Sequence, residues 1–361
     1  MKLNSVIVHG NKYKIQNKRL NLSNLGINSI KEIIGLNRLE KLELLNLKAN
    51  NITEIEDLKK IPNLKALKLD RNQITEIKGL EHLTNLRILS LMSNKITNIR
   101  GLEYLKNLKF LNLALNQLKE ITGLPNLARL QELWLAYNQI SNMSGLTRLT
   151  NLHILNLANN YIQKIEGLKN LIHIQSLIIK GNQITQISGL ESLIHLQELW
   201  LNFNQIKEIS GLEPLTHLQK LNLSANQITE IGGLETLTHL QELWLENNQI
   251  SELNGLKNLT HLQALHLNGN PIKNSEAEYA KSAELAVRYC QIKNKRTKIQ
   301  NKTIDFLGSC IICHANLLNT QKLNRCNNCG KYFHLNCLTQ WFIEEKHKFC
   351  PYCNGIFGYI G

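Results

Sequence analysis

The stretch LKALKLDRNQITEIKGLEHLTN, residues 64–85, decides how this chain is built, because it returns with small changes every 22 residues. An asparagine marks the period at Asn28, Asn50, Asn72, Asn94, Asn116, Asn138, Asn160, Asn182, Asn204, Asn226, Asn248 and Asn270, and reads as twelve turns without an insertion. From Asn50 on, apolar residues stand eight, five and three positions ahead of each asparagine, as Leu64, Leu67 and Leu69 do before Asn72. Others follow two and five positions behind it, as Ile74 and Ile77 do. A repeat of this length predicts one short strand per turn of a stacked solenoid, with inward leucines that no single turn could bury. The asparagine suits the sharp exit from the strand, where its amide can satisfy backbone groups of a neighbouring turn. Seven residues further on lies a glycine in most turns, Gly79, Gly101 and Gly123 onward to Gly255, with Asp57 the exception. That position predicts tight or positive-φ backbone.

These residues make up the leucine-rich-repeat phrase L-x-x-L-x-L-x-x-N-x-I. The wording N-Q-I-x-x-I-x-G-L resembles the repeats of the nuclear phosphatase-regulator class over about residues 20–272. The resemblance implies an α/β leucine-rich-repeat solenoid with a parallel concave sheet and a convex side of short helical or extended segments. It implies no single function, since such solenoids hold many unrelated partners. Ahead of the repeats, SVIVHGNKYKI alternates about Gly10-Asn11, which predicts a hairpin capping the first open edge within residues 1–19. Behind them, Ser275 and Glu278 form a capping-box pattern that predicts one helix to about Gln291, inside a helical cap and basic linker over 273–305. Cys290 falls on its Tyr279, Ala283, Ala286 stripe, the place of a small buried hydrophobe.

Side chains six, four and two positions before each asparagine alternate onto the concave sheet. Three turns read QELWL and put Glu132 with Trp134, Glu198 with Trp200, and Glu242 with Trp244 on that face. Tyr137 and Phe203 stand just before their asparagines. Exposed tryptophans beside carboxylates are what a protein-binding hot spot needs, and at about 4.8 Å per strand the three would span roughly 24 Å of groove. The glutamates favour a partner with basic residues. The alternative is that QELWL was copied with its repeat and holds nothing. His195, His217, His239 and His261, with His173 adjoining, share one repeat position and should stack in a column. No carboxylate or cysteine recurs beside them, so a metal or pH-sensing role is not expected.

The formal charge is +14 over 361 residues, and seven thiolates on two zinc ions would lower it to about +11. Its lysines and arginines are scattered, apart from groups near the start and over 293–302, so nucleic acid is not an expected partner. No apolar run approaches the length of a membrane span, and the start has no signal-peptide core. The expected compartment is cytoplasmic or nuclear, where clustered cysteines usually ligate metal.

Seven of the eight cysteines are gathered in the tail as Cys310-x2-Cys313, Cys326-x2-Cys329, then His334-x2-Cys337, and Cys350-x2-Cys353. Four such pairs supply eight ligands for two closed tetrahedral zinc sites, with no open position for catalysis. A domain this small, 306–361, lacks the apolar area to fold without metal. RING fingers of ubiquitin ligases and histone-reading PHD fingers both use eight ligands in this manner. The four-residue gap from Cys329 to His334 is PHD-like, whereas Ile312, Trp341 in FHLNCLTQW and Pro351 in CPYC are RING-like. CGKYFHLNCLTQWF with CPYC resembles the variant RING of the Fanconi anaemia ubiquitin ligase and, more loosely, that of the SMC-complex Nse-type ligases. Asn354 departs from the basic residue that many RINGs carry there.

The RING resemblance implies that Ile312, Trp341 and Pro351 form a groove for a ubiquitin-conjugating enzyme. It also implies cross-brace pairing, with Cys310, Cys313, His334 and Cys337 on one zinc and Cys326, Cys329, Cys350 and Cys353 on the other. The expected function is a RING-type ubiquitin ligase with the repeats as receptor for a protein substrate. A non-enzymatic scaffold, phosphatase-regulator-like or PHD-type, is the alternative. No cysteine of the module is left as a nucleophile, so catalysis by such a ligase rests on proximity.

Overall fold

A computed structural model describes residues 5–124, 127–302 and the short segments 323–325 and 332–334. The chain divides into two compact units, Met1–Cys290 and Gln291–Gly361. In the first, twelve three-residue strands from Arg19–Asn21 to Ala264–His266 form one sheet, each paired in parallel with the next. Every strand presents one buried leucine at its centre, such as Leu67, Leu89 and Leu111, and most flank it with two half-exposed residues. These leucines join the apolar residues before and after each asparagine in one continuous core.

The asparagines hold the turns together. The Oδ1 of Asn72 accepts from the Ile52 backbone N–H at 3.0 Å, while its Nδ2 donates to the Leu47 and Leu69 carbonyls, both at 3.0 Å. The same three bonds repeat from Asn94 to Asn248, so one buried amide satisfies two turns at once. The glycine position is equally fixed: Gly101 has φ +87°, and a Cβ there would lie 1.9 Å from the Ile77 carbonyl oxygen. Asp57 occupies the same conformation at φ 55°.

The first turn departs from the expected period. Arg19 pairs with Leu44, an offset of 25, whereas Leu44 pairs with Ala66 and every later strand follows at 22. Asn50 therefore accepts from Leu25 and Ile27, and Asn28, exposed, stands outside the ladder. The extra residues are taken up in two 3-10 turns, Ile30–Glu32 and Leu36–Arg38, the first closed by a reciprocal Ser29–Glu32 capping box.

The expected hairpin is present as Ser5–Val8 and Asn11–Lys14, turning at His9-Gly10, one residue earlier than the sequence suggested. Both turn residues have positive φ, as a two-residue primed turn requires. It buries Val6 and Val8 over the end of the core and bridges Ile7 to Ile34, forming a sheet of its own instead of extending the large one.

At the other end the single helix divides. Asn274–Ala277 and a 3-10 turn, Tyr279–Lys281, come first; then Ser282, extended at φ −146°, accepts from the Leu285 N–H and starts a second helix, Ala283–Lys302. Ser282 is a second N-cap within reach of the first, and it ends the helix that Ser275 and Glu278 were expected to open. Glu276, buried, accepts from the Leu253 N–H and from the Tyr289 hydroxyl at 2.9 Å, which satisfies the last turn. Cys290 is 4% exposed and contributes its Sγ to the Leu253 carbonyl.

Candidate functional site

The concave face carries the predicted residues, but not as three equal anchors. Trp134, Trp200 and Trp244 are half-buried, not fully exposed. Trp200, Asn222 and Trp244 stand in register on three adjacent strands, so flat strands would hold the two rings about 9.6 Å apart. Their centroids are 5.4 Å apart, so the rings converge across the strand of the small Asn222, whose Oδ1 accepts from the Ser224 N–H. His266 stacks on the far side of Trp244 at 5.7 Å and 5°. The result is one column of three rings, each pair contributing about 1 kcal/mol beyond its burial.

Trp134, by comparison, has no ring stacked on it among the described residues. Its Nε1 donates to Glu132 Oε2 at 3.3 Å, and its register neighbours are Asn112 and Asn156. Ala114, Ala136 and Ala158 form a small buried cluster two residues beyond the ends of the same strands. Tyr137 and Phe203, 56% and 64% exposed, hold the left-handed conformation at φ 56° and 57° on the rim.

The carboxylates are also partnered. Lys220 lies between Glu198 and Glu242, with Nζ 3.7 and 3.6 Å from their oxygens, and Ser176 Oγ donates to Glu198. The face around the ring column is therefore less acidic than two bare glutamates would make it. Lys220 and His266 lie outside the QELWL phrase, so no single strand marks them. Read across turns, position −6 runs Glu198, Lys220, Glu242, and position −4 runs Trp244, His266.

The histidine column forms as predicted in outline, with centroids of His217–His239 at 6.3 Å and His239–His261 at 5.9 Å. Its role lies in the backbone. His239 Nδ1 meets the Thr216 carbonyl at 3.1 Å and His261 Nδ1 meets the Thr238 carbonyl at 2.8 Å, so Nδ1 must carry the proton. Asn63, Asn85, Asn107 and Asn151 make the same bond to the carbonyl 23 residues earlier from the same repeat position. Among the described residues no three His, Cys, Asp or Glu side chains gather to hold a metal ion, and no helix is long and apolar enough to cross a membrane.

With this architecture in place, comparison with known proteins finds the model for leucine-rich repeats in two copies at residues 62–104, 84–126, 128–170, 172–214, 216–258 and 238–277, together more than half of the chain. The chain belongs to the leucine-rich-repeat family. This leucine-rich-repeat protein is similar to an internalin (InlF) of Listeria monocytogenes, with 32% identity, a TM-score of 0.61 and coverage of 73% of this chain and 84% of that one. It is also similar to the functional domain of InlJ from the same organism, at 29% identity and TM-score 0.61, over 71% of this chain and 55% of that one.

The tail matches the Ring finger domain over residues 308–354. A 54-residue segment is 37% identical to the E3 ubiquitin-protein ligase listerin of Neurospora crassa, covering 14% of this chain and 3% of that protein's length. A Ring finger implies zinc, and the donor set fits: seven thiols and one imidazole, all soft or borderline ligands. Cys310, Cys313, Cys326, Cys329, Cys337, Cys350 and Cys353, with Ile312, Trp341 and Pro351, lie outside the described residues. His334 is described in its backbone, where it ends the antiparallel pair Leu323–Arg325 with Tyr332–His334.

Proposed function

We propose that the protein is a RING-type ubiquitin ligase, acting in the cytoplasm or nucleus, whose repeats hold a protein substrate on the concave face. The observation that carries this reading is the Ring finger match over 308–354, joined in one chain to a leucine-rich-repeat solenoid. Cys310, Cys313, His334 and Cys337 would hold one zinc, and Cys326, Cys329, Cys350 and Cys353 a second. Zinc supplies folding energy to the module and takes no part in bond making.

Ile312, Trp341 and Pro351 would seat the charged conjugating enzyme. Transfer then follows from holding its thioester near a substrate lysine, so binding energy replaces a nucleophile of the ligase's own. On the receptor side, Trp200 and Trp244 form one preassembled anchor with Glu198 and Glu242 beside it. Trp134 with Glu132 and the rim residues Tyr137 and Phe203 offer separate contacts. A stacked pair loses little rotamer freedom on binding, which suits a hot spot.

The full chain, purified with its zinc, should speed discharge of ubiquitin from a conjugating enzyme onto free lysine. Ile312→Ala and Trp341→Ala should each abolish this while native mass spectrometry still counts two zinc ions per chain. An inert wild-type protein with both zincs in place, across a broad panel of conjugating enzymes, would return the protein to the scaffold reading.

A further inference from the structure

The lengthened first turn creates a feature that no later turn has. Ile34 exchanges both backbone hydrogen bonds with Ile7, at 2.9 and 3.0 Å, and so fastens the hairpin to that turn. Between the hairpin, the two 3-10 turns and residues 57–60 lies a cleft of about 780 Å³, within the range of ligand sites. Ile33 turns into the core, whereas Ile7 and Ile34 carry their side chains outward into the cleft, 40% and 65% exposed.

Five cations line this cleft: Lys12, Lys31, Arg38, Lys59 and Lys60, with Asp57 the one carboxylate among the lining residues. Lys31 is taken by Glu56, its Nζ 2.5 Å from Oε2, and Glu56 also accepts from Ser29 Oγ at 2.7 Å. That pairing holds the Glu56 carboxyl below its usual range. Among the described residues, Lys12, Arg38, Lys59 and Lys60 have no ion-pair partner. Four unneutralised cations around a concave wall focus a positive potential into it.

The lining also excludes some ligands. It contains no aromatic side chain, so a nucleic-acid base has no platform to stack on. Its floor is aliphatic, which a bare phosphate would leave uncovered. Because Ile7 and Ile34 already spend their backbone groups on each other, a ligand is held by side chains and not by adding a strand.

We propose that this cleft binds an acidic peptide segment, with one aliphatic side chain seated on Ile7 and Ile34 and its carboxylates set against Lys12, Arg38, Lys59 and Lys60. Exposed ion pairs are individually weak, so affinity comes from several acting together over an apolar anchor. The site is separate from the tryptophans of the concave face, and it stands whether or not the tail is a ligase.

The test uses the full-length protein and a fluorescein-labelled oligoglutamate carrying one central leucine, followed by fluorescence polarisation. Raising salt from about 50 to about 500 mM should weaken binding about tenfold, since the charges are exposed. The double variant Lys59→Glu, Lys60→Glu should weaken it about tenfold or more through like-charge repulsion, and Ile34→Ser several-fold. All three side chains are exposed, so the variants should keep the wild-type melting temperature. Unchanged binding by the double lysine variant would overturn the proposal. So would equal affinity for a leucine-free oligoglutamate, or preference for a single-stranded oligonucleotide.

Discussion

Two ladders run along this solenoid, and they do the same job at different depths. The inner one is the row of asparagines from Asn50 to Asn270, 5–8% exposed through Asn248, each bonded to backbone of two turns. The outer one begins as Asn63, Asn85 and Asn107 and ends as His217, His239 and His261, each bonded to a carbonyl 23 residues earlier and, apart from the half-buried Asn107, exposed. The inner row never changes residue type, while the outer row is Asn as far as Asn151, interrupted by Arg129, and His from His173 on. Burial explains the difference. A backbone group that loses its partner inside the core stays without one, whereas an outer carbonyl can turn to water.

The comparison breaks or holds on a few substitutions. Asn138→Ala should have the largest effect. It strips the Leu118 N–H and the Leu113 and Leu135 carbonyls of their buried partner, at a loss of about 3 kcal/mol or more. Hydrogen exchange should show the opening confined to the adjoining turns, and protection unchanged there would mean water replaces the amide. Gly101→Ala comes next. The new methyl group meets the Ile77 carbonyl and the backbone sits at φ +87°, so a loss of about 2 kcal/mol is expected by thermal melting.

His239→Ala should change stability by only about 0.5 kcal/mol, and His239→Asn by less, because Asn makes this bond elsewhere in the row. A melting-temperature drop like that of the Asn138 variant would refute the division into inner and outer ladders. The smallest effect concerns pH at the N-terminal end. Hydrogen bonds from Lys18 and then Lys65 lower the Glu43 carboxyl from 4.5 to about 2. A depressed carboxyl contributes stability that is present above its unfolded pKa, so this contribution should fade as pH falls from about 4.5 toward 2. Acid titrations of wild type and Glu43→Gln should therefore converge at the low end of that window, and parallel curves would exclude the pair as a contributor.

Much of this was legible in the chain itself. The 22-residue phrase gave the parallel sheet, the leucine core and the asparagine role, since each follows from a local spacing repeated many times. What escaped reading depended on neighbours across turns. Asn28 matched the period by coincidence, and only the Arg19–Leu44 pairing reveals three extra residues before Asn50. The Trp200–Trp244 stack needed two rings to converge across the strand of Asn222, and the neutralisation by Lys220 needed the column read sideways. At the far end Ser282 competed with Ser275 as a helix start, and it caps the second helix by accepting from the Leu285 N–H. The basic cleft draws on residues scattered from Ser5 to Lys60, which no single motif joins.

The ladder bonds also fix how the molecule responds to load. Strand pairs repeat at 22 residues, and the inner asparagines link positions 20 and 25 residues away, so each turn is fastened chiefly to its two neighbours. Drawn apart from its ends in an optical trap, the solenoid should peel turn by turn, like tape from a roll. Each release would free one 22-residue period, and the extension should grow in steps of about 70 Å at full stretch.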